Sequence, residues 1–168
     1  MNKIGENLDS KRIPITGGDR KQGIYPYYGA SGIVDYVDDY IFDEDILLIS
    51  EDGANLLARV TPIAFPALGK VWVNNHAHVM RFTNLATQCY VENLINILDI
   101  SNYVTGTAQP KLNQAKLNSI PIPVPEMAQQ EAYFKFIQQL DKSKFELKQA
   151  IANISELMKS LIQQDFSN

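Results

Sequence analysis

Two periodicities divide this chain near residue 125. Before that point apolar residues come in short runs, rich in aromatic and β-branched types and broken by Gly and Pro. Such runs predict short strands at residues 25–28, 33–36, 46–50, 57–61, 70–73, 77–82 and 120–124. Gly17-Gly18-Asp19, Gly29-Ala30-Ser31-Gly32, Asp52-Gly53 and the Pro62/Pro66 pair supply the turns between them. A helix is predicted at 88–98, where Val91, Leu94, Ile95 and Leu98 make one stripe, and a shorter one at 113–118. Pro121, Pro123 and Pro125 then remove alternate backbone donors, so the chain leaves any central sheet there. From Glu126 to Phe166 there is neither Pro nor Gly. Tyr133, Ile137, Leu140, Lys144, Leu147, Ile151, Ile154, Met158 and Leu161 follow steps of four and three, a heptad seam with one polar member at Lys144. A helix of about 40 residues is about 60 Å long, more than the preceding domain can cover. The fold class is therefore α+β: a mainly β globular domain with few short helices over residues 1–125, then one long coiled-coil-forming helix over 126–168. The helix reads as an arm that pairs with another helix.

The length of 168 residues suits one domain with an extension and excludes a multidomain enzyme. Cys89 is the single cysteine, so no intramolecular disulfide and no Cys-based zinc site can form, and the chain reads as cytoplasmic. The longest aliphatic run, residues 46–49, is far short of a membrane span. The net charge of −4 argues against a generic nucleic-acid coat. Its distribution is uneven: residues 35–52 hold eight acids and no base, with Lys11, Arg12, Arg20 and Lys21 before them and Arg59 and Lys70 after. An acidic face and a separate basic face are compatible with that pattern.

The catalytic inventory is thin. There is no Gly-rich phosphate loop, no dinucleotide fingerprint, no nucleophile elbow and no Asn/Asp-Pro-Pro-aromatic motif for a flipped base. Glu146-Leu147-Lys148 lies in the long helix and reads as exposed charge. Glu51-Asp52, with Asp43, Glu44 and Asp45 upstream, has metal-ligand chemistry, but Asp52-Gly53 reads first as a turn. In the segment 71–79, strand alternation puts Val71, Val73, Asn75, Ala77 and Val79 on the core face and Trp72, Asn74, His76 and His78 on the other. His76 and His78 lack the further ligands of a zinc site. Polar readout of a base edge and a satisfied buried cluster both fit these side chains. The loop 105–112, with Lys111, offers backbone N–H groups and a cation to a phosphate, or simply caps the helix after it.

Taken in order, these segments resemble the specificity subunits of type I restriction–modification systems. The resemblance rests on the stretch from Asp19 through Tyr25-Pro26-Tyr27-Tyr28-Gly29-Ala30-Ser31-Gly32 to Tyr36, and on Leu48-Ile49-Ser50-Glu51-Asp52-Gly53-Ala54-Asn55. It continues in Val71-Trp72-Val73-Asn74-Asn75-His76-Ala77-His78, in Gly106-Thr107-Ala108-Gln109-Pro110-Lys111-Leu112, and in the proline-rich exit into a long helix. It implies that residues 1–125 are a DNA target recognition domain reading one half of a split site. It implies that the helix 126–168 sets the spacing by antiparallel pairing. Full-length members carry two such units, so one unit fits either a half-subunit that dimerises or a fragment.

The resemblance implies function by partnership. This chain would hold no cofactor; S-adenosylmethionine, ATP and Mg would belong to the methyltransferase subunit and the restriction/motor subunit. Double-stranded DNA would be met by Arg20, Lys21, Asn74, His76, Gln109 and Lys111, the bases positioning phosphates and Asn74 and His76 reading base edges. A homodimer would form through Tyr133, Ile137, Leu140, Leu147, Ile151, Ile154, Met158 and Leu161. Two rival readings are a small metal-dependent nuclease using Glu51 and Asp52, and a dimerisation module with no DNA role.

Overall fold

Every residue of β5 (Ile46–Ser50) is buried, and the fold is built around the two faces of this strand. The structure, a computed structural model, describes residue 1 and residues 3–165. The remaining strands are β1 (Glu6–Asn7), β2 (Gln22–Gly29), β3 (Gly32–Val37), β4 (Phe42–Asp43), β6 (Ala64–Ala67), β7 (Lys70–Val73) and β8 (Ala77–Arg81). Among the described residues they form two four-stranded sheets, ordered β1-β8-β5-β6 and β3-β2-β7-β4. Pairing is antiparallel except between β2 and β7, which run parallel with Tyr27 beside Trp72. Ile46 and Leu48 of β5 and Ala77 and Val79 of β8 meet Phe42, Val71 and Val73 of the second sheet. Leu47, Ile49 and Met80 face the other way, onto a helical layer through Val91, Ile95, Leu112 and Leu117. That layer is α2 (Leu85–Ile97) and α3 (Gln114–Ser119), capped by Asn84 and Asn113, whose side-chain oxygens accept from the backbones of Thr87 and Lys116.

This three-layer arrangement corrects the sequence reading in several places. Residues 71–79 are not one strand. The chain turns at Asn74–His76 to pass from the second sheet to the first, so the alternation restarts there, and Asn75 is exposed while Asn74 is buried. His78 is fully buried, because β8 is covered on both faces. Residues 57–61 are not a strand. They follow and partly overlap α1 (Asn55–Ala58), a single turn that buries only Leu56 and stops at Arg59, which adopts the left-handed conformation (φ 53°). The Asn55 side chain then accepts from the backbones of Val60 and Thr61 and holds them away from any sheet. Residues 120–124 are extended without a strand partner; the Met1 amino group donates to Ile120 O and the Tyr90 hydroxyl to Pro123 O. The short strands β1, β4 and β6 have no signal in the apolar pattern.

The long helix α4 (Met127–Asp165) has 39 residues, about 58 Å; the expected end at Phe166 lies outside the described residues. Its first turns dock on α2. Thr87 Oγ1 donates to Gln130 Oε1 (2.7 Å), and Gln130 Nε2 donates to Pro125 O (2.8 Å). Tyr133 meets Tyr90 edge-on at 6.2 Å between centroids. Beyond Ile137 the described side chains of the helix are exposed. No helix among the described residues is long and apolar enough to cross a membrane.

Candidate functional site

Four loops meet at one end of the paired sheets. The β2–β3 turn joins β5 where Ser50 Oγ donates to Ala30 O, and it joins the β7–β8 turn where Asn74 N donates to Tyr28 O. Glu51 N donates to His76 O, Gly53 N to Pro110 O and Leu112 N to Glu51 O. Thr105 and Lys111 exchange backbone hydrogen bonds across the base of the loop between them. Gly106 (φ 83°) allows that loop to close, since a Cβ there would meet Gln109 O at 2.4 Å. The β7–β8 turn is set locally: Asn74 Oδ1 accepts from His76 N at 2.7 Å, as Asn side chains do in turns.

Beneath the loops lies a polar network drawn from four segments. His78 Nδ1 is 2.6 Å from Asp9 Oδ2, and its Nε2 is 2.6 Å from Leu112 O. Both ring nitrogens therefore face acceptors, a carboxylate and a carbonyl. Arg12 Nη1 donates to Glu51 Oε2 (2.6 Å) and to Ala77 O (2.8 Å), and Lys111 Nζ is 3.1 Å from Glu51 Oε1. Burial alone would push the carboxyls of Asp9 and Glu51 up, but the paired groups outweigh it. The hydrogen bond and charge of His78, with Val79 N–H and Arg12, hold Asp9 below the usual carboxylate range. Arg12, His78 and Lys111 do the same for Glu51.

The ligand atoms of Asp9, Glu51 and His78 lie within 4.8 Å of one another, a spacing that suits a metal ion. The donor set does not suit one. Arg12 and Lys111 already neutralise the carboxylates, and the His78 nitrogens are both engaged. The acids weighed in the sequence do not gather either. Glu51 and Asp52 diverge, one to Arg12 and Lys111, the other to His76. Glu44 pairs with Arg81 at the opposite end of β5, a strand roughly 17 Å long. Cys89 is no activated nucleophile, since burial and the charge of Glu92 push its thiol up.

The loop end gathers Asn74, His76, Gln109 and Lys111. Asn74 is buried, whereas His76, Gln109 and Lys111 are exposed. Arg20 and Lys21 lie outside this loop cluster. Arg20 stacks over the Tyr27 ring at 4.4 Å, pairs with Asp35 at 3.2 Å and donates to Ile15 O; Lys21 is exposed at the start of β2. On α4, Tyr133 and Ile137 are half-buried within the chain, while Leu140, Leu147, Ile151, Ile154, Met158 and Leu161 are exposed. The sequence reading missed Asp9 and Arg12, which carry the buried network, and the pairing of Asp52 with His76. No local pattern signals a contact between residues 24 to 69 positions apart.

Residues 2–156 match the family model described as the type I restriction modification DNA specificity domain. A putative type I restriction enzyme specificity subunit of Haemophilus influenzae is 32% identical over 140 residues, which is 83% of this chain and 36% of the relative. The EcoprrI type I restriction enzyme specificity subunit of Escherichia coli is 28% identical over 107 residues, 64% of this chain and 25% of the relative. The chain thus spans about a third of the length of these relatives or less. The crystal structure of the type I restriction–modification S subunit from M. genitalium aligns with 84% of this chain and 40% of its own (TM-score 0.59, 12% identity). A structure from a study of type I R-M complex assembly aligns with 95% of this chain and 42% of its own (TM-score 0.62, 12% identity). These structural likenesses show the shared fold, a sheet domain with a long helical arm, and the sequence matches show the rest: the chain belongs to the type I restriction modification DNA specificity domain family.

Proposed function

We propose that this chain is the DNA sequence-recognition module of a type I restriction–modification system, reading one half of a split site. The observation that carries the reading is the family match across residues 2–156. In this reading the chain is non-catalytic and cytoplasmic. It directs a methyltransferase subunit and a restriction/motor subunit, which hold S-adenosylmethionine, ATP and Mg. Engaged acids at the loop end support the absence of an active site, and nothing favours the nuclease or the module without a DNA role. DNA meets the loop end, where exposed His76, Gln109 and Lys111 lie together. Lys111, Lys21 and Arg20 position phosphates, while His76 and Asn74 read base edges directly or, for buried Asn74, by shaping the turn.

The arm pairs with the same helix of a second copy. A two-fold axis near Gln149 sets Leu140 opposite Met158 and Leu147 opposite Ile151, so the exposed seam is self-complementary. Methylome sequencing of cells with and without this chain tests the function. Adenine methylation at one split motif, lost with the chain, is the expected result; an unchanged methylome refutes it.

A further inference from the structure

His76 and Asp52 form a side-chain pair that crosses two of the clustered loops at the exposed loop end. Asp52 Oδ2 lies 2.8 Å from His76 Nδ1, with the His side chain half exposed and the Asp side chain largely covered. Both partners are held by their backbones. Asp52 bridges to Lys111, Glu51 N donates to His76 O, and His76 N donates to Asn74 Oδ1. The pair is thus built from two fixed loops and is not a chance meeting of flexible side chains.

We infer that Asp52 is a positioning residue that sets the tautomer of His76 and so decides which base edge His76 can read. An ionised carboxylate only accepts, so the hydrogen of a neutral imidazole sits on Nδ1. Nε2 then carries a lone pair, and it meets no protein partner among the described residues. An acceptor at that point matches the exocyclic amines that adenine and cytosine present in the major groove, and it opposes the N7 and O6 acceptors of guanine. Without Asp52, a histidine side chain favours the other tautomer, which presents a donor.

This inference rests on the DNA-recognition reading above, and two measurements on the full chain separate them. Two-bond nitrogen–proton NMR on the free protein reports which ring nitrogen bears hydrogen, with His76→Gln assigning the two histidines of the sequence. The expected result is an Nδ1–H tautomer for His76 that gives way to Nε2–H in Asp52→Asn. Selection from a duplex DNA pool with a randomised core, run with the methyltransferase subunit of the same system, reads the preference. Asp52→Asn and His76→Ala should each lower discrimination at the same single base position by about three- to tenfold, the value of one hydrogen bond. Asp52→Asn should add nothing in the His76→Ala background. An Nε2–H tautomer in the wild type overturns the inference, as does a loss of discrimination with the Nδ1–H form retained. A wild-type preference that survives both substitutions overturns it while leaving DNA recognition standing. A wild type that selects no sequence overturns both.

Discussion

Replacing Glu92 with Gln removes a carboxylate from the cleft where the arm leaves the domain. The cleft, about 740 Å³, lies between α2, β6 and α4 and is walled by Phe65, Leu85, Phe134 and Ile137. Burial raises the Glu92 carboxyl to about 7, and the charge of Asp141 on the facing helix adds to the rise. The folded protein therefore prefers the neutral acid. Below the ordinary carboxyl value of about 4.5 the group has no effect on stability. As pH rises from there to about 7 the unfolded chain sheds the proton first, and stability falls until both states are ionised. At about 1.4 kcal/mol per pH unit, the rise from 4.5 to about 7 corresponds to roughly 3.5 kcal/mol. Water reaches this partly exposed side chain and screens part of that, leaving about 1–2 kcal/mol. Glu92→Gln should accordingly raise the melting temperature by about 2–8 °C at pH 8 and leave it nearly unchanged at pH 4.5. Thermal melts at fixed protein concentration give the test. An equal shift at both pH values would refute the reasoning, since a change in packing alone does not depend on pH.

At the acid end the order reverses. The depressed carboxyls of Asp9 and Glu51 contribute stability above about pH 4 that is lost as pH falls through their folded values. Glu51→Gln leaves largely covered Arg12 without its carboxylate and should cost about 2–3 kcal/mol at neutral pH in urea melts, with the difference closing as pH falls through the depressed folded value of Glu51. Gln130→Leu leaves the Thr87 hydroxyl and Pro125 O unpaired. It should cost about 1–3 kcal/mol, and hydrogen exchange should quicken in the first turns of α4 and not in β5. Lys111→Ala should lower the salt slope of DNA binding by about 0.9, and a slope equal to wild type would remove Lys111 from phosphate contact. Leu147→Asp with Ile151→Asp sets like charges opposite each other across the proposed axis and should turn a sedimenting dimer into a folded monomer. A wild-type chain that stays monomeric at high micromolar concentration leaves the arm to another partner.

The sequence by itself determined whatever local periodicity and chain chemistry enforce. β5 and β7 follow from compact β-branched and aliphatic runs. A stretch of about 40 residues without Pro or Gly, bearing a heptad stripe, has no low-energy choice but the helix α4. The segments that make the family resemblance are likewise read in order along the chain. Tertiary structure decided what depends on which face is covered. Strand periodicity assigns His76 and His78 to one side of a sheet, but it cannot say that the chain changes sheets at Asn74–His76 or that α2 and α3 cover β8. One histidine therefore stands in solvent against Asp52, and the other is sealed between Asp9 and Leu112. Tyr133 and Ile137 obey the same heptad rule as Ile151 and Ile154, yet α2 half-covers the first two and leaves the others wet. The clustered loops and the network beneath them are joined by hydrogen bonds between residues tens of positions apart. Backbone propensities act over a few residues, so such meetings form only when two sheets and a helical layer close around β5 and bring the loop ends together.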